Sequence, residues 1–130
     1  MEGVRVTMYE VKVKSKFSSA HYLRGYRGKC EELHGHNWHV EVTCNAGELN
    51  NIGMVVDFGE LKKWLNEIVQ GLDHKHLNEL EYFKTVNPTS ENIAKYLYDN
   101  LTGKIPGAKI NTVTVWETDS SAATYGWLTG

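Results

Sequence analysis

The chain has 130 residues, the usual size of one compact domain, so residues 1–130 are predicted to form a single domain. With 41% hydrophobic and 23% charged residues, its composition is typical of a globular protein and excludes a disordered chain. A formal net charge of −2 argues against a broad nucleic-acid-binding face, because phosphate binding needs a basic excess.

The first residues of the chain and its two cysteines bear on where in the cell the protein is expected. No apolar run approaches the roughly 20 residues that span a bilayer, and the segment after Met1 lacks the apolar core of a signal peptide. Cys30 and Cys44 are too few for a disulfide framework. We therefore expect a cytoplasmic protein that binds neither membrane nor nucleic acid.

The first part of the chain predicts two strands. From Val4 to about Phe17 the residues largely alternate and are rich in β-branched types, and a loop from Leu23 to Lys29 follows. In the next segment the side chains of every second residue are predicted to line the buried face. These residues are His34, His36, Trp38, Val40, Val42 and Cys44. The two strands are expected to form a long antiparallel hairpin.

After Asp57 the apolar residues recur every three or four positions, which predicts a helix. Asp57 is a suitable N-cap, and Glu60 three residues later resembles a capping box. The residues of the expected apolar stripe are Phe58, Leu61, Leu65, Ile68 and Leu72.

A second helix is predicted from near Pro88-Thr89 to about Leu101, with Gly103 at its exit. Its core-facing residues are expected to be Ile93, Leu97 and Leu101. Two short strands, around Thr112–Glu117 and Thr124–Leu128, follow it. The order β-β-α-α-β-β predicts an α+β fold with both helices on one face of an antiparallel sheet.

His34 and His36, separated by Gly35, point the same way on a strand, so both imidazoles can reach one metal ion. His21 ends the preceding strand, where antiparallel pairing can bring it to the same place. Three histidines leave a fourth tetrahedral position open, which is typical of a catalytic zinc. The alternatives are packed or surface histidines and, for His21, a loop cap. His39 points to the opposite face and is excluded as a ligand.

Catalytic candidates lie on either side of this pair. Cys30 belongs to a polar Arg-Gly-Lys-Cys-Glu stretch, where a thiol near a cation ionises more easily and becomes a base or nucleophile. The alternative, a small buried hydrophobe, suits Cys44 better. Asp73 precedes His74, and a carboxylate that orients a histidine makes an acid–base unit. His76 is a second candidate, but it is expected to be a solvated turn residue.

Glu117 is an inward-facing carboxylate by its parity with Val113 and Val115. An inward carboxylate needs a partner. It can accept hydrogen bonds from a pair of N–H donors on a planar ligand, or it can form a salt bridge with a Lys or Arg.

Together these motifs resemble the 6-pyruvoyl-tetrahydropterin synthase / 6-carboxy-tetrahydropterin synthase family over nearly the whole chain. The resemblance rests on Phe17-Ser-Ser-Ala-His21, Cys30-x-x-x-His34-Gly-His36-Asn-Trp38, Val56-Asp57-Phe58, Leu72-Asp73-His74-x-x-Leu77-Asn78, Asn87-Pro-Thr-Ser-Glu-Asn-Ile-Ala94 and Glu117-Thr118. It implies a tunnelling fold, in which subunits join their sheets into a barrel, usually a hexamer built as a dimer of trimers, with active sites between subunits. Such an assembly would cover the open sheet edges.

The resemblance also implies a role for each candidate residue. The zinc ligands would be His21, His34 and His36, the catalytic groups Cys30, Asp73 and His74, and the pterin contacts Glu117, Thr89 and Ser90. A spacer of three residues between Cys30 and His34 is similar to the 6-carboxy enzymes of the 7-deazaguanine (queuosine) pathway, whereas the pyruvoyl enzymes have a longer one. The implied substrate is 7,8-dihydroneopterin triphosphate, which loses triphosphate and acetaldehyde.

The triphosphate needs cationic partners, and the loop beside Cys30 offers Arg24, Arg27 and Lys29, with a solvated loop as the alternative. Glu31, expected as an exposed loop carboxylate, keeps a second activity open, because some members use a glutamate here and cleave dihydroneopterin like an aldolase. A pyruvoyl synthase, a non-catalytic pterin- or metal-binding protein of the same fold, and a structural zinc module are further alternatives. The last predicts a closed four-ligand site and unfolding on chelation.

Overall fold

The computed structural model describes residues 7–28 and 31–127. In these residues one antiparallel sheet has its strands in chain order: β1 (Tyr9–His21), β2 (His34–Ala46), β3 (Ile110–Thr118) and β4 (Ser121–Gly126). Between β2 and β3 the chain forms α1 (Phe58–Gln70), two 3₁₀ turns (Leu77–Glu79 and Glu81–Lys84) and α2 (Ser90–Leu101). The predicted order β-β-α-α-β-β is confirmed.

The hairpin of β1 and β2 is paired along its whole length, from Tyr9 opposite Ala46 to His21 opposite His34. β1 therefore runs beyond its predicted end at Phe17, because the last residues of the strand pair with the histidine-bearing start of β2. The alternation of β2 is as predicted, with Trp38, Val40, Val42 and Cys44 buried. Thr43 is an exception on the other face, since it is buried and its hydroxyl bonds that of Thr112.

Each helix buries one stripe against the sheet, α1 on β1 and α2 on β3 and β4. The buried residues are Leu61, Leu65 and Val69 from α1 and Ile93, Leu97 and Leu101 from α2. Asp57 is the N-cap of α1 and accepts a hydrogen bond from the Glu60 amide, as predicted. The placement of Phe58 in the core was wrong, because this side chain is 52% exposed. Phe58 is the first residue of α1, at the end of the stripe, and lies with Tyr9 and Met54 around a surface cleft.

The opposite side of the sheet, called the open face here, is polar. Its side chains include Lys12, Lys14 and Lys16 from β1 and Asn37 and His39 from β2, all exposed. No helix in the described part of the chain is long and apolar enough to cross a membrane.

Candidate metal and substrate site

Three imidazoles, the histidine cluster, meet at the His21/His34 end of the hairpin on the side that faces the helices. His21 lies directly opposite His34, and His36 lies opposite Ser19. The ring centroids are 4.7 Å apart for His21 and His34, 5.3 Å for His21 and His36, and 4.8 Å for His34 and His36. Glu117 on β3 joins them, and the ligand atoms of the four residues lie within 4.8 Å of one another. The structure thus brings the predicted ligands together with the predicted carboxylate.

The hydrogen bonds of the cluster decide which ring nitrogens carry protons. His21 Nδ1 lies 2.7 Å from the Pro88 carbonyl, and His34 Nδ1 lies 2.9 Å from the Glu32 carbonyl. Because a carbonyl only accepts, each Nδ1 carries a proton, and in the neutral ring Nε2 is then the nitrogen with the free lone pair. Metal-binding histidines commonly donate their second ring N–H in this way.

The cluster contains polar atoms that the protein leaves unpaired. The Nε2 atoms of His21 and His36 are buried and have no hydrogen-bond partner in the described residues. Glu117 Oε1 is 3.3 Å from His36 Nε2, an ion-pair distance without hydrogen-bond geometry. Leaving a buried polar group unsatisfied costs about 1–3 kcal/mol, and a metal ion would satisfy these atoms. Three nitrogen donors with an adjacent carboxylate fit zinc.

The charge state of His21 also suits a ligand. Burial is the main cause that lowers the pKa of His21, and the neighbouring His34 and His36 lower it further. The hydrogen bond that His21 donates to the Pro88 carbonyl and the charge of Glu117 raise the pKa instead. The net lowering of the pKa favours the neutral imidazole, which is the form that binds a metal.

The buried Trp38 side chain packs against the histidine cluster. Its ring lies nearly perpendicular to those of His21 and His36, at centroid distances of 4.8 and 5.4 Å. Its indole N–H donates to the Ser19 carbonyl at 3.2 Å, and Phe17 stacks on the ring at 5.7 Å. Because Trp38 is fully buried, it restricts the rotamers of the two histidines.

The loop that follows His21 is held by two asparagines, whose roles the sequence did not reveal. Asn78 accepts from the Tyr22 amide and donates to the Tyr22 carbonyl, both at 2.9 Å. Asn87 makes the same pair of bonds with the backbone of Arg24. Both asparagines belong to the motifs that carry the family resemblance, and this was the signal in the sequence that could have drawn attention to them. Their partners, however, are backbone groups, which no sequence pattern identifies.

The basic loop predicted for the triphosphate is partly engaged elsewhere. A guanidinium nitrogen of Arg24 donates to the carbonyls of Phe83 at 2.7 Å and Asn78 at 3.3 Å. The guanidinium of Arg27 lies over the Tyr26 ring, 5.3 Å from its centroid. The predicted phosphate contacts of Arg24 and Arg27 stay predictions, and Lys29 lies outside the described residues.

The same holds for the predicted thiolate, since Cys30 also lies outside the described residues. Glu31 differs from its expectation as an exposed carboxylate. It is half-buried, and its Oε1 accepts from the Leu23 amide at 3.1 Å while its own amide donates to the Leu23 carbonyl. Glu31 therefore closes the loop between β1 and β2.

Asp73 and His74 lie along the edge of β1, away from the cluster. Asp73 Oδ1 accepts from the Ser18 amide and Oδ2 lies 2.9 Å from His74 Nδ1. The Ser18 hydrogen bond is the main reason that the pKa of Asp73 lies below its usual value. The pair lines a cleft with Asn37 and His39 of the open face, whereas the cluster faces the helices. Neither Asp73 nor His74 is in the group of converging ligand atoms. The predicted contact between Asp73 and His74 is present. The pair does not join the histidine cluster of the same subunit.

Three remaining candidates lie near these elements. Thr89 is the N-cap of α2 and accepts from the Asn92 amide, and Ser90 is buried beside it. The Pro88 carbonyl bound by His21 immediately precedes them, so the start of α2 adjoins the cluster. His76, expected as a solvated turn residue, is only 28% exposed in its side chain and lies against Tyr22.

An α+β fold with two helices on one face of a four-stranded antiparallel sheet, and with this cluster at the end of the sheet, defines a tunnelling-fold protein. The profile of the 6-pyruvoyl tetrahydropterin synthase family matches residues 10–127. The chain therefore belongs to this family.

Relatives with three different descriptions resemble the chain. The human 6-pyruvoyl tetrahydrobiopterin synthase is 41% identical over 116 residues, covering 85% of this chain and 79% of the human one. An Archaeoglobus fulgidus protein, provisionally described as a 6-carboxy-5,6,7,8-tetrahydropterin synthase, is 39% identical over 111 residues, covering 85% and 90%. The dihydroneopterin monophosphate aldolase of Pyrococcus furiosus is 34% identical over 115 residues, covering 88% and 94%. The structure of Caenorhabditis elegans 6-pyruvoyl tetrahydropterin synthase superposes with a TM-score of 0.79 at 29% identity, covering 95% and 99%.

Proposed function

We propose that the protein is a zinc-dependent 6-carboxy-5,6,7,8-tetrahydropterin synthase. It converts 7,8-dihydroneopterin triphosphate, with uptake of water, to 6-carboxytetrahydropterin, triphosphate and acetaldehyde. The observation that carries this proposal is the convergence of three histidines and Glu117 within 4.8 Å in a member of the pterin synthase family. The short spacer between Cys30 and His34 favours the carboxy enzymes over the pyruvoyl ones.

The cluster would hold the metal through His21, His34 and His36. Zinc at this position would act as a Lewis acid, polarising the side-chain hydroxyls of the substrate and acidifying the protons on their carbons. The carbonyls of Pro88 and Glu32 fix the two bonded rings so that Nε2 faces the centre of the cluster. Trp38 packs against the rings of His21 and His36 and would restrict their movement.

Glu117 is the proposed anchor of the pterin ring. Its side chain is 33% exposed, so one edge of the carboxylate is accessible from solvent. A pterin presents its amino group and an adjacent ring N–H side by side, and a carboxylate can accept both hydrogen bonds. Binding the ring here would place the side chain of the substrate toward the histidine cluster, since Glu117 contacts His36.

Proton transfer is assigned to Cys30 and to His74. Asp73 bonds Nδ1 of His74, which leaves Nε2 of an 81% exposed side chain available to a substrate. Because this pair lies on the other side of β1 from its own cluster, we propose that it acts on substrate bound to the cluster of a neighbouring subunit. Active sites of this kind require the oligomer, a dimer of trimers, that the resemblance implies.

A second candidate function is an aldolase that cleaves dihydroneopterin or its monophosphate. The relative from Pyrococcus furiosus carries that description, and Glu31 is a carboxylate placed next to Cys30. Against Glu31 as the base stands its hydrogen bond from the Leu23 amide, which engages Oε1 and holds the side chain within the loop. A pyruvoyl synthase is a third candidate, favoured by the human relative.

Product analysis tests these candidates. The zinc-loaded protein is incubated separately with 7,8-dihydroneopterin and with its mono- and triphosphate, and the products are identified by mass spectrometry. The carboxy synthase yields 6-carboxytetrahydropterin and acetaldehyde from the triphosphate. A pyruvoyl synthase releases triphosphate without acetaldehyde, and an aldolase yields a 6-hydroxymethyl pterin and a glycolaldehyde-type fragment. Failure to consume any of the three substrates would overturn the proposal in favour of a non-catalytic protein.

A further inference from the structure

A cleft on the open face adjoins the Asp73–His74 pair. Its volume of about 370 Å³ falls in the range of roughly 300–1,000 Å³ that is typical of ligand sites. The polar residues that line it are Lys16, Ser18, Asn37, His39, Asp73 and His74. The cleft is separate from the histidine cluster, which faces the helices.

The lining offers mainly hydrogen-bond donors. Lys16 is exposed and forms no ion pair with any residue in 7–28 or 31–127. His39, its direct neighbour across the hairpin, carries at least one ring N–H in any protonation state. The Ser18 hydroxyl donates to Asn37 Oδ1 at 2.7 Å, so the amide nitrogen of Asn37 keeps its N–H groups for a ligand.

The carboxylate in the lining is already engaged by the protein. Both oxygens of Asp73 have partners, the Ser18 amide and the ring of His74. His74, which lines the cleft, uses Nδ1 for this bond and not Nε2. The ammonium group of Lys16, the amide N–H groups of Asn37 and an imidazole N–H of His39 are a donor set suited to an oxyanion such as phosphate.

The other basic groups nearby are less available to a ligand. Lys14, two residues before Lys16 on the same face, lies 3.6 Å from Glu41, and Lys12 lies 4.0 Å from the same carboxylate. In the loop after β1, Arg24 is bonded to backbone carbonyls. Lys16 is therefore the cation on β1 that a phosphate could reach without competition from a carboxylate partner.

We propose that Lys16, Asn37 and His39 form an oxyanion subsite for the phosphate groups of the pterin substrate, next to the His74 that acts on its side chain. This inference rests on the proposed function, because in that reaction the phosphates are attached to the side chain whose protons the pair moves. The phosphate subsite must then lie within a few bonds of His74. The same subsite binds triphosphate after its release.

Binding of inorganic triphosphate tests the subsite without any turnover. Calorimetric titration compares the zinc-loaded protein with Lys16→Gln and with the matched control Lys14→Gln, a lysine of the same strand and face. Loss of one charge-assisted hydrogen bond predicts roughly tenfold weaker binding or more for Lys16→Gln, and a change within about twofold for Lys14→Gln. Equal effects of the two variants, or no measurable binding by the unmodified protein, would overturn the subsite.

Steady-state kinetics separates failure of the subsite from failure of the proposed function. Lys16→Gln should raise KM for dihydroneopterin triphosphate roughly tenfold with kcat within about threefold, while affinity for unphosphorylated dihydroneopterin stays unchanged. Turnover with unchanged KM refutes the subsite and leaves the function standing. Triphosphate binding that depends on Lys16, in a protein that converts none of the pterin substrates, supports the oxyanion site and refutes the function. If Arg27→Gln rather than Lys16→Gln raises KM, the phosphates bind at the loop.

Discussion

Replacement of Glu117 by glutamine separates its two possible roles, pterin anchor and metal ligand. The change keeps the size and shape of the side chain but removes the negative charge and turns one acceptor oxygen into a donor. Glu117 Oε1 lies 3.3 Å from His36 Nε2, so the same carboxylate adjoins both the cluster and the surface through which a pterin would enter. The structure alone allows both roles.

The magnitude follows from the hydrogen bonds that the carboxylate would accept. A hydrogen bond to a charged group contributes about 1.5–3 kcal/mol, so losing one should weaken pterin binding roughly ten- to hundredfold. If three histidines suffice to hold zinc, the metal content of Glu117→Gln stays at about one ion per chain. The replacement should leave the fold intact, because Glu117 is partly exposed and at the end of β3.

Fluorescence titration with an unreactive pterin and elemental analysis of zinc measure the two effects separately. Glu41→Gln is the control, since Glu41 is also a strand carboxylate but pairs with Lys12 and Lys14 on the open face. Unchanged pterin affinity in Glu117→Gln would show that this carboxylate is not the anchor. Loss of zinc from this variant would instead identify Glu117 as a fourth metal ligand.

Three further predictions concern the loop, the base and the acid–base pair. Asn78→Ala leaves partly buried backbone groups of the loop without their partner and should lower the free energy of unfolding in urea by about 1–3 kcal/mol, against less than about 0.5 kcal/mol for the exposed Asn100→Ala. Cys30→Ala should abolish acetaldehyde release while Glu31→Gln, which keeps its acceptor oxygen, retains it. The aldolase interpretation predicts instead that Glu31→Gln abolishes release of a glycolaldehyde-type fragment and that Cys30→Ala retains it. Because the pKa of Asp73 is lowered in the folded chain, its ionised form stabilises the fold above its unfolded pKa of about 3.9, and this contribution is lost as the pH falls through the folded pKa. The stability difference between the unmodified protein and Asp73→Asn should therefore shrink from pH 7 to pH 3, and a difference independent of pH would contradict this explanation.

The parts of the fold that could be predicted from the sequence are those that follow from the spacing of apolar residues. Alternation in β2 placed Trp38 and the two histidines of the pair on one face, and the three-to-four spacing located both helices. The residue type of Asp57 identified the N-cap of α1. Parity also placed Glu117 inward. These features could be predicted because each depends on neighbours within one strand or one turn of a helix.

The features that could not be predicted from the sequence depend on groups that are distant along the chain. Asn78 and Asn87 bond backbone groups more than 50 positions away, and a backbone partner leaves no pattern in the sequence. The exposure of Phe58 depends on where the sheet ends relative to α1. The side of β1 reached by Asp73 and His74 depends on how the chain returns after α1, which residue spacing does not determine.

Zinc reconstitution tests the central claim most directly. The metal is removed with a chelator, and turnover of 7,8-dihydroneopterin triphosphate is measured as zinc is returned in steps to the folded protein. Turnover should rise in proportion to zinc and level off at about one ion per chain, while the triple variant His21→Ala, His34→Ala, His36→Ala gains neither zinc nor activity. Full turnover by the metal-free protein, or full zinc occupancy in the triple variant, would contradict the assignment of this cluster.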